Sequence, residues 1–128
     1  MSTSFNLRLT NQRINDHLQN ATIYNANGDY VQAGEKVYGA IVGIINKRSN
    51  KEIKPTRIKK QKFINIIGEL RNRDPTKIPF LTQHFQDPTE LWSGIFALHE
   101  YFYGTALNYT DTHLEIIITY FIQLLQML

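Results

Sequence analysis

The chain has 128 residues, 42% hydrophobic and 20% charged, which allows one domain with a sizeable core and is ordinary for a globular rather than a disordered protein. It has no cysteine, so neither a disulfide framework nor a thiolate metal site is possible. Net charge is +3 but uneven: eleven of the 14 Lys and Arg lie between Lys47 and Lys77, giving that stretch +8 and the remainder −5.

Apolar residues recurring at steps of three and four predict six helical segments. The first runs from about Thr10 to Asn27, with Ile14, Leu18, Ala21 and Tyr24 on one face. Asn27-Gly28-Asp29 supplies a stop and a restart. Gly28 suits the left-handed position after a helix, and Asp29 suits the next N-cap. A connection this short predicts an antiparallel hairpin.

The second segment runs from about Tyr30 to Arg48. It carries two adjacent stripes, one of Tyr30, Gly34, Val37, Ile41 and Ile44, the other of Val31, Glu35, Tyr38, Val42 and Ile45. So wide a face predicts more than one packing neighbour. Gly34, Gly39 and Gly43 each cost about 1 kcal/mol of helix propensity relative to alanine, which predicts close approach of another backbone.

A polar connection, Ser49 to Thr56, leads to a third segment from about Arg57 to Arg73, with Phe63, Ile66, Ile67 and Leu70 inward. Asp74-Pro75 breaks it and starts a shorter segment, about Pro75 to Gln86, bent by Pro79. Asp87-Pro88 opens the fifth, which reaches about Gly104. Its stripes are Leu91, Ile95, Leu98 and Phe102, and Trp92, Phe96, His99 and Tyr103. Thr110 or Asp111 caps the sixth, where Glu115, Thr119, Gln123 and Gln126 form a single polar stripe. A helix otherwise apolar is either central or packed against another chain. Leu114 to Leu128 is too short and too interrupted to span a bilayer, and Met1 to Asn11 has no apolar run, so a cytoplasmic protein without a secretory leader is expected. The expected architecture is thus one all-α domain over residues 1–128, an antiparallel up-and-down bundle of five to six helices.

Catalytic motifs fail one by one. His99-Glu100 begins like a zinc-protease HExxH, but the second histidine position holds Tyr103. His17, His84, His99 and His113 are too far apart in sequence for a metal-ligand cluster. The glycines between Gly28 and Gly43 form neither a phosphate-binding loop nor a dinucleotide fingerprint, and no serine has a nucleophile-elbow setting. No catalytic residue, metal or cofactor is therefore assigned.

Two residues break the apolar pattern, Glu35 in the second segment and His99 in the fifth. They are either core polar groups paired across the bundle or, with Tyr38 and Tyr103, the lining of a ligand pocket. The basic stretch also has two readings. Lys47, Arg48, Lys51, Lys54, Arg57, Lys59, Lys60 and Lys62 form either a solvated face or a surface for nucleic acid or another polyanion.

Two motifs carry a family resemblance: Gly-Asp-Tyr-Val-Gln-Ala-Gly-Glu-Lys-Val-Tyr-Gly-Ala from Gly28 to Ala40, and Leu-His-Glu-Tyr-Phe-Tyr-Gly from Leu98 to Gly104. In order and separation they resemble the archaeal PaREP family, small helical proteins that look like a branch of the HEPN-like group. That group includes the helical C-terminal domains of kanamycin-type nucleotidyltransferases. The resemblance implies an up-and-down helical bundle, often a homodimer, and a possible nucleotidyltransferase partner. The matching positions are Glu35, Lys36, Tyr38, His99, Phe102 and Tyr103. Some HEPN relatives are ribonucleases with an Arg, four to six residues, then His. Here Arg13 and His17 have three residues between them, and Arg71 and Arg73 have no histidine at that distance. The expected function is a non-enzymatic helical binding module that acts as a homodimer. A nucleotide- or RNA-binding HEPN-type protein, with RNA processing or a nucleotidyltransferase partnership as its role, is the alternative.

Overall fold

The computed structural model describes residues 7–74, 88–104 and 110–128, with side chains from Asn11 onward. Every element among them is a helix: α1 Leu7–Ala26, α2 Tyr30–Ser49, α3 Thr56–Arg73, α4 Pro88–Phe102 and α5 Asp111–Gln126. The expected segment from Pro75 to Gln86, and Lys77 with it, lies outside the described residues. The first helix begins at Leu7, one turn ahead of the expected start. No described helix is long and apolar enough to cross a membrane.

Local chemistry explains most of the boundaries. Gly28 takes φ +76, the left-handed conformation that glycine adopts without a Cβ clash. Asp29 caps α2, its carboxylate accepting from the Gln32 backbone N–H at 3.3 Å. At the other end of α2, Asn50 adopts φ 54, and its N–H donates to the carbonyls of Asn46 and Lys47. Thr110, rather than Asp111, is the N-cap of α5, its hydroxyl accepting from the His113 N–H at 3.2 Å.

α2 is the hub, packing against all four other helices, as its two apolar stripes require. It runs antiparallel to α1, where Gly39 lies opposite His17 and Gly43 opposite Ile14. It runs antiparallel to α4 as well, where Gly34 lies opposite Leu98 and Tyr38 packs near Trp92. The atoms nearest the three glycines belong to a leucine, an imidazole and an isoleucine, side chains of α4 and α1 that lie close to the α2 backbone. A Cβ at Gly43 would stand 2.7 Å from Ile14 Cγ1, so helix contact here depends on the missing side chain. α3 is placed differently. Its later turns reach the end of α2, where Arg48 and Glu69 pair at 3.2 Å.

The core is continuous across the helices, with Ile41, Ile45, Phe63, Ile67, Leu70, Ile95, Leu98, Ile118 and Phe121 almost fully enclosed. α5 resolves the choice posed by its apolar circumference. Leu114, Ile118, Tyr120, Phe121, Ile122, Leu124 and Leu125 are all buried within one chain, and only Ile116 is notably exposed, at 44%. The breadth of that face is explained by α1 and α2, so it does not by itself call for a second copy.

Candidate functional site

Polar chemistry gathers on two sides of α2. Towards α4, the Glu35 carboxylate accepts from His99 Nδ1, at 2.9 Å to one oxygen and 3.1 Å to the other. A carboxylate facing Nδ1 through both oxygens places the ring proton there. Both side chains are partly covered, 22% exposed for Glu35 and 26% for His99. Burial raises the Glu35 pKa, while the hydrogen bond and charge of His99 and the charge of Lys36 pull it back.

The pair rests in an aromatic setting built by the α4 stripe. Tyr38 stacks on the His99 ring, centroids 4.1 Å apart and planes 19° apart. Phe96 and Tyr103 approach the same ring at 5.6 and 5.2 Å. Tyr38 also touches Trp92 and Phe96, and Phe63 of α3 joins through Trp92. Burial, with the Glu35 charge, raises the Tyr38 phenol pKa. Of the residues singled out in the sequence, Glu35, Tyr38, His99 and Tyr103 are therefore brought together. Lys36 is half-buried beside them and acts through its charge. Tyr103 is 72% exposed and closes the outer end of the cluster. The arrangement pairs one acid with one base and packs rings around the base, as expected of a polar pair that holds two helices in register.

Towards α1 and α3 lies an open cleft of about 360 Å³, lined by Arg13, His17, Glu35, Tyr38, Gly39, Asn46, Glu52 and Lys59 among others. Gly39 builds it: a Cβ there would stand 3.0–3.2 Å from the His17 ring, so the imidazole lies directly on the helix backbone. The His17 pKa is lowered, first by burial, then by the charges of Lys36 and Arg13, with Asp16 opposing. Cationic potential thus dominates around this ring.

The far end of the cleft is anchored by Asn46, a buried polar residue only 9% exposed. Its side-chain oxygen accepts from the Ile53 N–H at 2.8 Å and ties the turn after α2 to the helix that precedes it. Asn46 was not singled out in the sequence. The available signal was a polar residue one turn beyond Val42 on an apolar stripe.

The basic stretch divides once folded. Lys47, Arg48, Lys51, Lys54, Arg57 and Lys60 are exposed, whereas Lys59 and Lys62 are half-buried. Lys59 lines the cleft shared with Arg13, and Lys62 turns to a separate shallow pocket beside Arg48 and Glu69. A larger cavity of about 460 Å³ lies between α1, α2 and α5. Its lining is mixed, apolar at Ile14, Leu18, Ile44, Leu125 and Leu128 and polar at Asn11, Asn15, Lys47, Arg48 and Gln126. Among the described residues, no group of three or more His, Asp or Glu could hold a metal ion.

No family model, curated protein or solved structure matches this chain. Its site chemistry is therefore read from its own residues.

Proposed function

We propose that this protein is a non-enzymatic helical binding module whose ligand is a polyanion of the nucleic-acid class, held along the edge formed by the end of α2, the following turn and the start of α3. The observation that carries this reading is the row of exposed cations on an anchored backbone. Lys47, Lys51, Lys54, Arg57 and Lys60 project from a segment fixed by the Asn46–Ile53 hydrogen bond and the left-handed Asn50 cap. Cations on an ordered segment meet a phosphate backbone without first losing chain entropy. The same reading takes the fold as HEPN-like and PaREP-related, on the two motif segments. It carries with it a homodimer and a nucleotidyltransferase as protein partners. The non-enzymatic part rests on the engagement of Glu35 with His99 and on the short Arg13-to-His17 spacing.

Fluorescence anisotropy with a labelled single-stranded RNA tests the proposal. Binding should be measurable at about 50 mM salt and fall steeply by about 200 mM, with a log–log slope near −0.7 per phosphate neutralised. Lys54→Glu combined with Lys60→Glu should weaken binding of all sequences alike. Absence of binding at the lower salt would leave the edge as a solvated face. Light scattering that returns a 14.9 kDa particle at micromolar concentration would remove the homodimer.

A further inference from the structure

The cleft on the α1 side of α2 has a chemistry that the exposed edge does not. Arg13 comes from α1 and Lys59 from α3, so cations from two elements border one concavity. His17 lies between α1 and α2, laid on the Gly39 backbone. At about 360 Å³ the cleft falls within the lower part of the range of small-ligand sites, about 300–1,000 Å³. Two carboxylates share the lining. Glu35 is engaged by His99 on the opposite side of α2, and Glu52 is exposed in the turn before α3.

We propose that this cleft binds a phosphomonoester, with Arg13 and Lys59 as the charge partners of the phosphate and His17 as a hydrogen-bonding partner. The chemistry selects the class. A carboxylate ligand offers two oxygens to three basic groups, whereas a terminal phosphate offers three oxygens. The exposed Glu52 carboxylate in the lining favours a ligand that also carries hydroxyl or amino donors, so the phosphate belongs to a sugar-like or nucleotide-like body rather than to an apolar one. The His17 pKa is lowered mainly by burial, and the charges of Lys36 and Arg13 lower it further, a contribution that a bound anion would offset. A phosphorylated small molecule and the phosphorylated end of a nucleic acid share this chemistry. The inference goes beyond the polyanion reading and does not depend on it.

The test is an NMR titration of the native protein, following the His17 ring proton, with inorganic phosphate and ribose 5-phosphate as probes. Saturable shifts at millimolar concentration are expected, with ribose 5-phosphate the tighter of the two. The bound phosphate should move the His17 titration to higher pH. Arg13→Gln, at an exposed position, should weaken binding about tenfold or more, as expected for loss of a charge-assisted contact. Gly39→Ala should weaken it without changing any charge, by displacing the imidazole. Gln123→Glu, an exposed change on α5 outside the cleft lining, should leave it unchanged. Thermal melting of each variant separates a lost site from a lost fold. Comparing a 5′-phosphorylated with a 5′-hydroxyl oligonucleotide identifies the source: a preference for the former assigns the cleft to a nucleic-acid end, and equal binding assigns it to a small molecule. Phosphate binding that persists while Lys54→Glu with Lys60→Glu leaves RNA affinity unaltered would uphold the cleft and remove the edge. No saturable shift with either probe, or equal affinity in Arg13→Gln, would overturn the proposal.

Discussion

On the α4 side of α2, the Glu35 carboxylate meets one base, His99, and aromatic rings pack around that imidazole. On the α1 side, one helical turn further along, His17 meets cations, and the space in front of it stays open. Both places put an imidazole against α2, and their electrostatics are opposite. Where acid and base are matched and covered, the polar atoms hold the helices together and have little left to offer a ligand. Where two cations, two carboxylates and an imidazole border an open cleft, polar groups are left facing solvent and available to a ligand.

The comparison is broken most directly at Glu35. Glu35→Ala leaves His99 Nδ1 without its acceptor beneath Tyr38. It should destabilise the protein by about 1.5–3 kcal/mol, the range for a hydrogen bond to a charged group, the partial exposure of both side chains keeping it below the cost of a fully buried pair. Chemical denaturation would measure this. The double mutant with His99→Ala should cost less than the sum of the singles. Additive costs would show that the two groups do not couple. Glu35→Gln, which keeps an acceptor for the ring, should cost less than Glu35→Ala.

A somewhat smaller effect is expected at the α1 contact. Gly43→Ala places a Cβ 2.7 Å from Ile14 Cγ1, and overpacking of this kind costs about 1–3 kcal/mol. Ile14→Ala in the same chain should recover part of the loss. Failure to recover it would mean that another neighbour sets the helix spacing.

The pH dependence sharpens the contrast further. The folded-state pKa of His17 lies below its unfolded value, so its contribution to stability is fully present above about pH 6.5 and is lost as pH falls through the lowered value. His17→Gln should therefore flatten the fall in stability on acidification through that window. Glu35 works in the opposite sense. Its raised pKa contributes stability at pH below the ordinary carboxylate range, and that contribution disappears as pH rises through the raised value. Melting temperatures across this pH range for native, His17→Gln and Glu35→Gln proteins would separate the two slopes. The smallest effect is expected at the exposed edge, where Lys54→Glu with Lys60→Glu should change stability by no more than about 0.5 kcal/mol.

Much of the scaffold could be read from residue order. The Asn27-Gly28-Asp29 turn, the Thr110 cap and the two stripes of α2 all depend on short-range rules, and short-range rules act on neighbours in sequence. Glu35 and His99 stood out because each was a polar residue within an apolar stripe, and such residues require partners. The cleft left no comparable mark. Arg13 and His17 occupy polar positions on α1, and only the choice of Gly39 as the contact point turns His17 inwards. Within the basic stretch, Lys59 and Lys60 are equivalent by composition. The direction of α3 decides that one lines the cleft and the other faces solvent. The three glycines announced a close approach, but helical periodicity identifies the face of a helix and not what comes to meet it.

The chain's one tryptophan gives the α2–α4 seam an optical consequence. Trp92 is 4% exposed and its ring centroid lies 5.8 to 6.3 Å from those of Phe63, Phe96 and Tyr38. Its emission therefore comes from a single dry environment and belongs at the blue end of the indole range. His99 packs against Tyr38 and Phe96, the same two rings that border the indole, so a rearrangement of the Glu35–His99 pair reaches Trp92 through them. Steady-state emission can thus follow the state of the seam in the native chain with no label attached, and it should stay dark to events at the exposed lysines.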